Sequence, residues 1–347
     1  MSDTNNIINR LEATGYMTKA SYTHEQLLDE LKGFEKASLQ EVYRASYSDC
    51  LRTYDLISHF RDMASQYALC DTEVYGRLIW SLQHLSKEIS SLVNGARGER
   101  CMRRSLGWLT CEHEILLNVE LEYEGERCEY DAIVLTPSGI DIVESKYLGH
   151  DAVIDKDGFL RSQIKSRDRF YNVGEKMRAK EHVLFKVIEN AHPGAIPRSC
   201  IRSILLATNN NTRIEDNFNL IDVCNCGKIC PLIENRKGPF LKGDYRAAII
   251  SAIEEARQVF LYEPAIDFDQ LRSDMADFIV MVERASARSV SIEECSIEAE
   301  EPGGILSGAM RREPISEIVN DAISIALYAI GGGAICYGMS KLIHKLS

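Results

Sequence analysis

Residues 128–147 read CEYDAIVLTPSGIDIVESKY, and this stretch decides the fold of the region around it. Cys128–Thr136 and Ile140–Tyr147 are apolar segments of strand length, and Pro137-Ser138-Gly139 between them is a turn signal. The preceding segment, Ile115–Tyr123, alternates apolar and polar residues with the period of a half-buried strand. The sequence therefore predicts three consecutive antiparallel strands.

One face of the second hairpin does not follow the pattern of a core strand. Alternation along its second strand places Glu144 and Lys146 on the face that Ile142 occupies. An even-numbered loop would place Asp131 of the first strand directly across from Glu144 or Lys146. Two carboxylates and an ammonium then converge at the end of an apolar face, and such breaks in a buried pattern tend to mark sites.

This set of groups suits hydrolysis of a phosphodiester. Hard oxygen ligands from Asp131 and Glu144 would hold Mg²⁺ or Mn²⁺, which polarises a phosphate and lowers the pKa of a bound water. The ammonium of Lys146 would orient the water or stabilise charge on the phosphate, and its pKa would fall in doing so. The alternative is a surface ion-pair cluster on an edge hairpin.

The flanking motifs extend the match. Asn94–Glu99, Asn118-Val119, Glu129–Val134 and Thr136–Tyr147, in this order and spacing, together resemble the nuclease-related domain, NERD, over roughly residues 95–190.

The resemblance implies a restriction-endonuclease-like fold with Asp131 and Glu144 as metal ligands and Lys146 as the catalytic lysine. It also implies that Glu99, on the helix before the strands, reaches the site as an auxiliary carboxylate, although neighbouring arginines offer it ordinary helical partners. Two positions depart from the family. Ala132 stands where the family has a polar residue or histidine, and Asn172–Lys176 stands where it has Asn-Pro and a glutamine.

Hydropathy patterning divides the chain into five segments and predicts an α+β protein. The central domain has a mixed sheet flanked by helices, and apolar residues at helical spacing surround it on both sides. The predicted segments are an all-α N-terminal module (1–94), the nuclease-like domain (95–264), a helix (265–290), an acidic flexible linker (291–313) and a hydrophobic C-terminal helix (314–347).

A basic segment lies within an acidic chain. The net charge is −12, which argues against nucleic-acid binding over the whole surface, but residues 156–186 carry nine basic and four acidic side chains. We expect phosphate contacts there, with DNA favoured over RNA as the partner. The residues expected to bind nucleic acid are Lys165, Arg167, Arg169, Lys176 and Arg178.

The predicted C-terminal helix contains the longest uncharged stretch of the chain. Residues 322–340 comprise 19 residues without a charged side chain, long enough to span a bilayer, although the three consecutive glycines at their centre lower their hydrophobicity. The two interpretations are a membrane anchor and a buried or oligomerising helix.

The cysteines and the N-terminus indicate the cellular compartment in which the protein is expected. Residues 1–10 are polar and lack a signal-peptide core, so we expect the 11 cysteines to be reduced in the cytoplasm. Cys224, Cys226 and Cys230 form the one close group, and it lacks the paired spacing of a zinc site.

The sequence therefore predicts a Mg²⁺- or Mn²⁺-dependent nuclease, tethered to the membrane if residues 322–340 insert. The N-terminal helices are expected to bind a partner protein or a second copy of the chain. The alternatives are a catalytically silent nucleic-acid sensor and an effector that acts through the C-terminal segment.

Overall fold

The computed structural model describes residues 2–46, 56–164, 169–238, 241 and 243–297. Helices fill most of its N-terminal region, and a long helix follows the central domain. These helices are α1 (Ser2–Glu12), α2 (His24–Ser46), α3 (Leu56–Gln66), α4 (Glu73–Leu106), α5 (Val173–Ala191), α6 (Ile229–Glu234), α7 (Gly243–Ala256) and α8 (Phe268–Ile297).

The described strands form a five-stranded sheet and a four-stranded sheet. The strands are β1 (Glu114–Tyr123), β2 (Glu126–Thr136), β3 (Gly139–Lys146), β4 (Ala152–Ile154), β5 (Phe159–Ser162), β6 (Arg169–Asn172), β7 (Ile201–Ala207), β8 (Ile214–Asp216) and β9 (Asp222–Asn225). The large sheet has the order β1-β2-β3-β7-β9, with antiparallel pairing from β1 to β3 and parallel pairing from β3 to β9. The predicted meander and the mixed sheet are confirmed.

Helices cover both faces of the large sheet. On one face, Val183 and Leu184 of α5 and Ile249 of α7 pack against a buried cluster that includes Ile133 and Ile142. On the other face, the end of α4 and the short α6 pack against the side chains that point the opposite way along β2 and β3. This three-layer arrangement agrees with the predicted α+β class.

The small sheet, in the order β6-β5-β4-β8, lies beside the end of β7 and the start of α5. The sequence indicated only a polar stretch before a helix there. Three of its four strands precede α5 and have three or four residues each, too few for an alternating pattern to be recognised.

The N-terminal helices share one core with α8. Phe34 of α2 packs edge-on against Phe268, with ring centroids 4.9 Å apart, and Phe60 of α3 packs against Phe278 at 5.6 Å. The sequence treated residues 265–290 as a separate helix after the central domain. In the structure, the apolar stripe of this helix completes the N-terminal module.

Helix α4 connects this helical module to the sheet. Its first half contributes Leu78, Leu82 and Leu85 to the helical core, and its second half contributes Met102 and Leu106 to the core beneath β2 and β3. The change of periodicity indicated a boundary between residues 94 and 95, and the helix runs across it. A rigid element is therefore shared by both modules.

The chain divides into two compact units, residues 1–290 and 291–347. Within the second unit only residues 291–297 are described, so most of the expected acidic linker and the whole segment 314–347, including 322–340, lie outside the described residues. Across the described ranges, no helix combines the length and apolar character needed to cross a membrane.

Candidate active site

The turn between β2 and β3 determines how the candidate residues face each other. The register pairs Leu135 with Ile140, Ile133 with Ile142 and, as its last pair, Ala132 with Val143. Asp131 and Glu144 are the next residue along each strand. Ile133 and Ile142 belong to one core, whereas Ala132 and Val143 belong to the core on the other face. Asp131 and Glu144 therefore lie at the end of the face that carries Ile133 and Ile142, as the alternation of side chains along the strands predicted.

Asp131 is held by the strand that carries its partner. The backbone N–H of Ser145 donates to Asp131 Oδ2 at 2.7 Å, and the Ser145 hydroxyl donates to the same oxygen at 2.8 Å. Burial and the nearby charge of Glu144 raise the pKa of Asp131, and the ammonium groups of Lys180 and Lys146 offset part of that rise. Asp131 therefore has a fixed orientation and a stronger affinity for protons than an exposed aspartate.

Glu144 is almost fully buried and is surrounded by three lysines. Lys146 Nζ lies 2.8 Å from Glu144 Oε1 and Lys176 Nζ lies 3.3 Å from the same oxygen, while Lys180 Nζ pairs with Oε2. Burial alone would raise the pKa of Glu144, but the charges of the three lysines outweigh it and hold the pKa far below the usual range. Glu144 is therefore ionised throughout the physiological pH range.

Lys146 is a permanent cation in this arrangement. Burial disfavours its charged form, but the charges of Glu144 and Asp131 and a hydrogen bond with Glu144 raise the pKa of Lys146 above its ordinary value. The predicted fall of this pKa concerns the site with metal and water bound and stays a prediction; in the structure described here the carboxylates outweigh burial. Tyr171 lies beside the lysine, with its ring centroid 5.4 Å from Lys146 Nζ, and burial raises the pKa of this tyrosine to about 12.

Glu99 reaches the same cleft from α4 because the helix approaches β3 closely. A Cβ on Gly98 would lie 3.2 Å from Thr208 Oγ1 and 3.4 Å from Ser145 Oγ, so glycine permits this approach. Burial and the charge of Asp131 raise the pKa of Glu99, while His24 and a hydrogen bond with Asn118 lower it in part.

Asn118 of β1 lines this region together with its neighbours Val119 and Glu120. It has a φ of 49° within a strand, a left-handed conformation that asparagine tolerates better than most residues. Its backbone carbonyl accepts a hydrogen bond from Arg257 at 2.8 Å. The sequence identified Asn118 only as part of the family resemblance, and its conformation carries no signal in the sequence.

These groups line a cleft of about 740 Å³ between the helical module and the sheet. Thr23 and His24 border it from the start of α2, and Arg257 and Gln258 border it from the segment after α7. That segment is anchored to the sheet, since the Gln258 N–H donates to the carbonyl of Glu120 at 2.9 Å. The site is therefore enclosed by both modules rather than exposed on a sheet edge.

The basic segment contributes unequally to the cleft. Lys176 lines it, whereas Arg178, two residues further along α5, is exposed and is not among the cleft-lining residues. Lys165 and Arg167 lie outside the described residues, and Arg169 is the first residue of β6.

Lys180 was not identified as a site residue from the sequence. It is 1% exposed, and its backbone carbonyl accepts a 2.8 Å hydrogen bond from the Tyr130 hydroxyl. The available signal was its position four residues after Lys176, which places both lysines on one face of α5. The nine lysines and arginines of residues 156–186 are spread along the whole segment, so the spacing of Lys176 and Lys180 does not stand out in the sequence.

The donor groups for a metal are limited. Within the described residues, no group of three or more histidine, cysteine, aspartate or glutamate side chains has the geometry to hold a metal ion. This applies to Cys224, Cys226 and Cys230, and it means that Glu99 does not complete a ligand triad with Asp131 and Glu144.

A comparison with protein families locates a domain in this part of the chain. Residues 94–208 match the family model described as nuclease-related domain, NERD. This segment includes Glu99, β1 to β7 and α5, and the match confirms the resemblance deduced from the sequence. Comparisons with curated proteins and with solved structures gave no match.

Proposed function

From the nuclease-related domain at residues 94–208, we propose that this protein hydrolyses phosphodiester bonds of nucleic acid in the cleft between its two modules. The observation that supports the proposal is that Asp131, Glu144 and Lys146 line one cleft, with the ammonium of Lys146 2.8 Å from Glu144. Two carboxylates and a lysine in a cleft of this family provide the groups that hydrolysis of a phosphodiester requires.

The donor chemistry fits Mg²⁺ or Mn²⁺. Both ions prefer hard oxygen ligands, and Mg²⁺ is commonly held by one or two carboxylates together with waters and substrate phosphate oxygens. Asp131 and Glu144 would supply the carboxylates, and the two hydrogen bonds from Ser145 fall on the same Asp131 oxygen, Oδ2. When bound, the ion would polarise the phosphate and lower the pKa of a water.

The protein's own residues have distinct roles in this proposal. Lys146, protonated and beside Glu144, stabilises the negative charge that develops on the phosphate oxygens. Glu99, whose pKa is raised, is the auxiliary carboxylate and accepts a proton more readily than an exposed glutamate would. Ser145 orients Asp131 through its backbone and its hydroxyl.

We propose DNA rather than RNA as the substrate, bound locally because the chain as a whole carries a charge of −12. Lys176, which lines the cleft, is the proposed phosphate contact nearest the site. Lys165, Arg167, Arg169 and Arg178 remain further proposed contacts.

One observation favours a second function. All three lysines pair with Glu144, so the carboxylate that would bind the metal is already neutralised by the protein. A nucleic-acid-binding module without turnover would have this feature, and the cleavage experiment below separates the two functions.

The test is incubation of linear, supercoiled and single-stranded nucleic acid with the full chain and Mg²⁺ or Mn²⁺, with EDTA as a control. Glu144→Gln should abolish the products, because it removes the charge of a metal ligand while keeping its shape. Glu122→Gln, on the same sheet but outside the cleft-lining residues, should leave them unchanged. Metal-dependent products that persist in Glu144→Gln would contradict the assignment, and binding without products would favour the sensor.

We further propose that the helical module binds a partner protein or a second copy of the chain. Trp80 on α4 is 62% exposed, which is unusual for a tryptophan on a packed helix. Light scattering of the full chain and of Trp80→Ala tests this, and an unchanged assembly in the variant would exclude Trp80 from the interface.

We also propose a cytoplasmic location with attachment to the membrane through residues 322–340. Sedimentation with lipid vesicles should recover the full chain but not a 1–310 truncation. Equal recovery of both would exclude an anchor in the tail.

A further inference from the structure

Two lysines of α5 hold Glu144 in addition to the lysine of the strand motif. Lys176 and Lys180 lie four residues apart on one face of α5 and reach different oxygens, Oε1 and Oε2 respectively. The helix begins at a defined position, since the Asn172 side chain accepts a 2.9 Å hydrogen bond from the Glu175 N–H. Both ammonium groups are therefore aimed at the carboxylate by a fixed helix.

The two lysines differ in exposure. The Lys180 side chain is 1% exposed, so its removal from Glu144 would leave a buried charge without its partner. The Lys176 side chain is 48% exposed and lies 3.3 Å from Oε1, an ion pair that water weakens and that breaks at small cost. Lys176, rather than Lys180, is therefore the lysine that can move away from Glu144.

The surroundings give Lys176 other positions to occupy. Its ammonium lies 5.7 Å from the centroid of the Tyr171 ring, whose face attracts cations. Lys176 also lines both the main cleft and a second cavity of about 250 Å³. The side chain can therefore leave Glu144 without losing all of its favourable contacts.

The charges near the site balance in this state. The carboxylates of Asp131, Glu144 and Glu99 carry three negative charges when ionised, and the three lysines that pair with Glu144 carry three positive ones. A divalent cation arriving at Glu144 would share Oε1 with two ammonium groups and be repelled by them. A phosphate arriving in the cleft would attract Lys176 away from that oxygen.

We propose that Lys176 is an exchangeable cation that pairs with Glu144 in the free protein and moves to a phosphate of the bound nucleic acid, so that substrate binding frees Glu144 Oε1 for the metal ion. This inference rests on the proposed function and deepens it by making metal affinity depend on substrate. Lys180 stays on Oε2 and keeps Glu144 in place. Substrate and metal then strengthen each other's binding by the same factor.

The test measures Mn²⁺ binding to the full chain by isothermal titration calorimetry, with and without a short DNA duplex that has phosphorothioate linkages. In the unmodified protein, the duplex should tighten Mn²⁺ binding by roughly fivefold or more, the lower end of typical couplings. Lys176→Met should bind Mn²⁺ more tightly without DNA and should lose most of the coupling. Lys186→Met, on the same helix but outside the cleft-lining residues, should behave as the unmodified protein does.

The inference is overturned if Lys176→Met leaves Mn²⁺ affinity unchanged, or if its coupling to the duplex equals that of the unmodified protein. Absence of Mn²⁺ binding in both proteins would also overturn it, since removal of the competing ammonium should expose the site. Lys176→Gln, which keeps a polar side chain, is the second variant if Lys176→Met does not fold.

The outcome is separable from the proposed function. Coupling that depends on Lys176 in a protein that cleaves nothing would support the exchange and contradict the nuclease. Metal-dependent cleavage with no role of Lys176 in Mn²⁺ affinity would support the nuclease and contradict the exchange.

Discussion

At the scale of residues, the site is defined by how Glu144 is neutralised. The charges of three lysines hold its pKa low against burial, while burial and the charge of Glu144 raise the pKa of Asp131. Two carboxylates that face each other therefore differ strongly in acidity. Glu144 is a permanent anion, and Asp131 is the member of the pair that protonates first as the pH falls.

Lys146→Met tests the role of the strand lysine. The variant should bind Mn²⁺ at least as tightly as the unmodified protein, because a competing cation beside Glu144 has been removed. Its rate should fall by a factor of about 100 or more, the usual cost of removing one group that stabilises developing charge. Calorimetry and single-turnover cleavage measure these quantities, and a loss of Mn²⁺ binding would mean that Lys146 has a structural role.

Asp131→Asn tests the raised pKa through stability measured without metal. A carboxyl whose pKa is raised on folding destabilises the folded state when it is ionised, and this cost disappears as the pH falls through the folded-state pKa. The stability of the variant relative to the unmodified protein should therefore decrease from pH 7 towards pH ~4, the ordinary pKa of aspartate. Urea unfolding at several pH values measures this difference, and an increase would contradict the direction of the shift.

At the scale of elements, α4 and α5 bring charged groups to a site that the strands begin. Helix α4 approaches β3 at Gly98 and delivers Glu99, and Arg97 donates a 3.1 Å hydrogen bond to the hydroxyl of Tyr147 just after that strand. Helix α5 delivers Lys176 and Lys180. The spacing between helix and strand therefore controls the geometry of the cleft.

Gly98→Val tests this spacing. The new side chain would press on Ser145 and Thr208, so we expect the free energy of unfolding to fall by about 1–3 kcal/mol and cleavage to weaken as Glu99 moves. Gly76→Ala in the same helix is the control, since a Cβ there meets nothing within 4 Å. It should raise stability by up to about 1 kcal/mol. Equal effects of the two substitutions would contradict close packing at Gly98.

At the scale of the whole molecule, the helical module is assembled from the two ends of the described chain. Tyr22 and Tyr262 pair through backbone hydrogen bonds of 3.0 and 2.8 Å, and α8 returns to pack among the N-terminal helices. Thr23 and His24, which border the cleft, follow directly after this pairing. The integrity of one wall of the cleft therefore depends on a helix far away in sequence.

Phe278→Ala tests this dependence. The side chain is fully buried against Phe60, so its truncation should cost about 3–5 kcal/mol and make the N-terminal helices sensitive to limited proteolysis. Phe218→Ala is the matched control, because Phe218 is 53% exposed and its loss should cost less than about 1 kcal/mol. Resistance of the N-terminal helices to protease in Phe278→Ala would contradict a shared core.

The sequence was sufficient for the features that depend on neighbours along the chain. Alternation and turn residues predicted β1 to β3 and the shared face of Asp131 and Glu144, because strand period and turn length are local properties. Helical spacing likewise indicated the all-α module at residues 1–94 and the helix at residues 265–290. The short strands of the second sheet were missed because three or four residues do not establish a period.

The sequence by itself determined the resemblance of residues 94–208 to the nuclease-related domain and the antiparallel strands β1 to β3, and it predicted that Asp131 and Glu144 share a face. Only the tertiary structure decided that α8 completes the N-terminal module, that α4 crosses the expected boundary, and that Lys176 and Lys180 surround Glu144. These contacts join residues more than 30 positions apart. Burial and ion pairing between residues so far apart in the sequence depend on how the helices and strands pack. The periodicity of a single segment does not encode that packing.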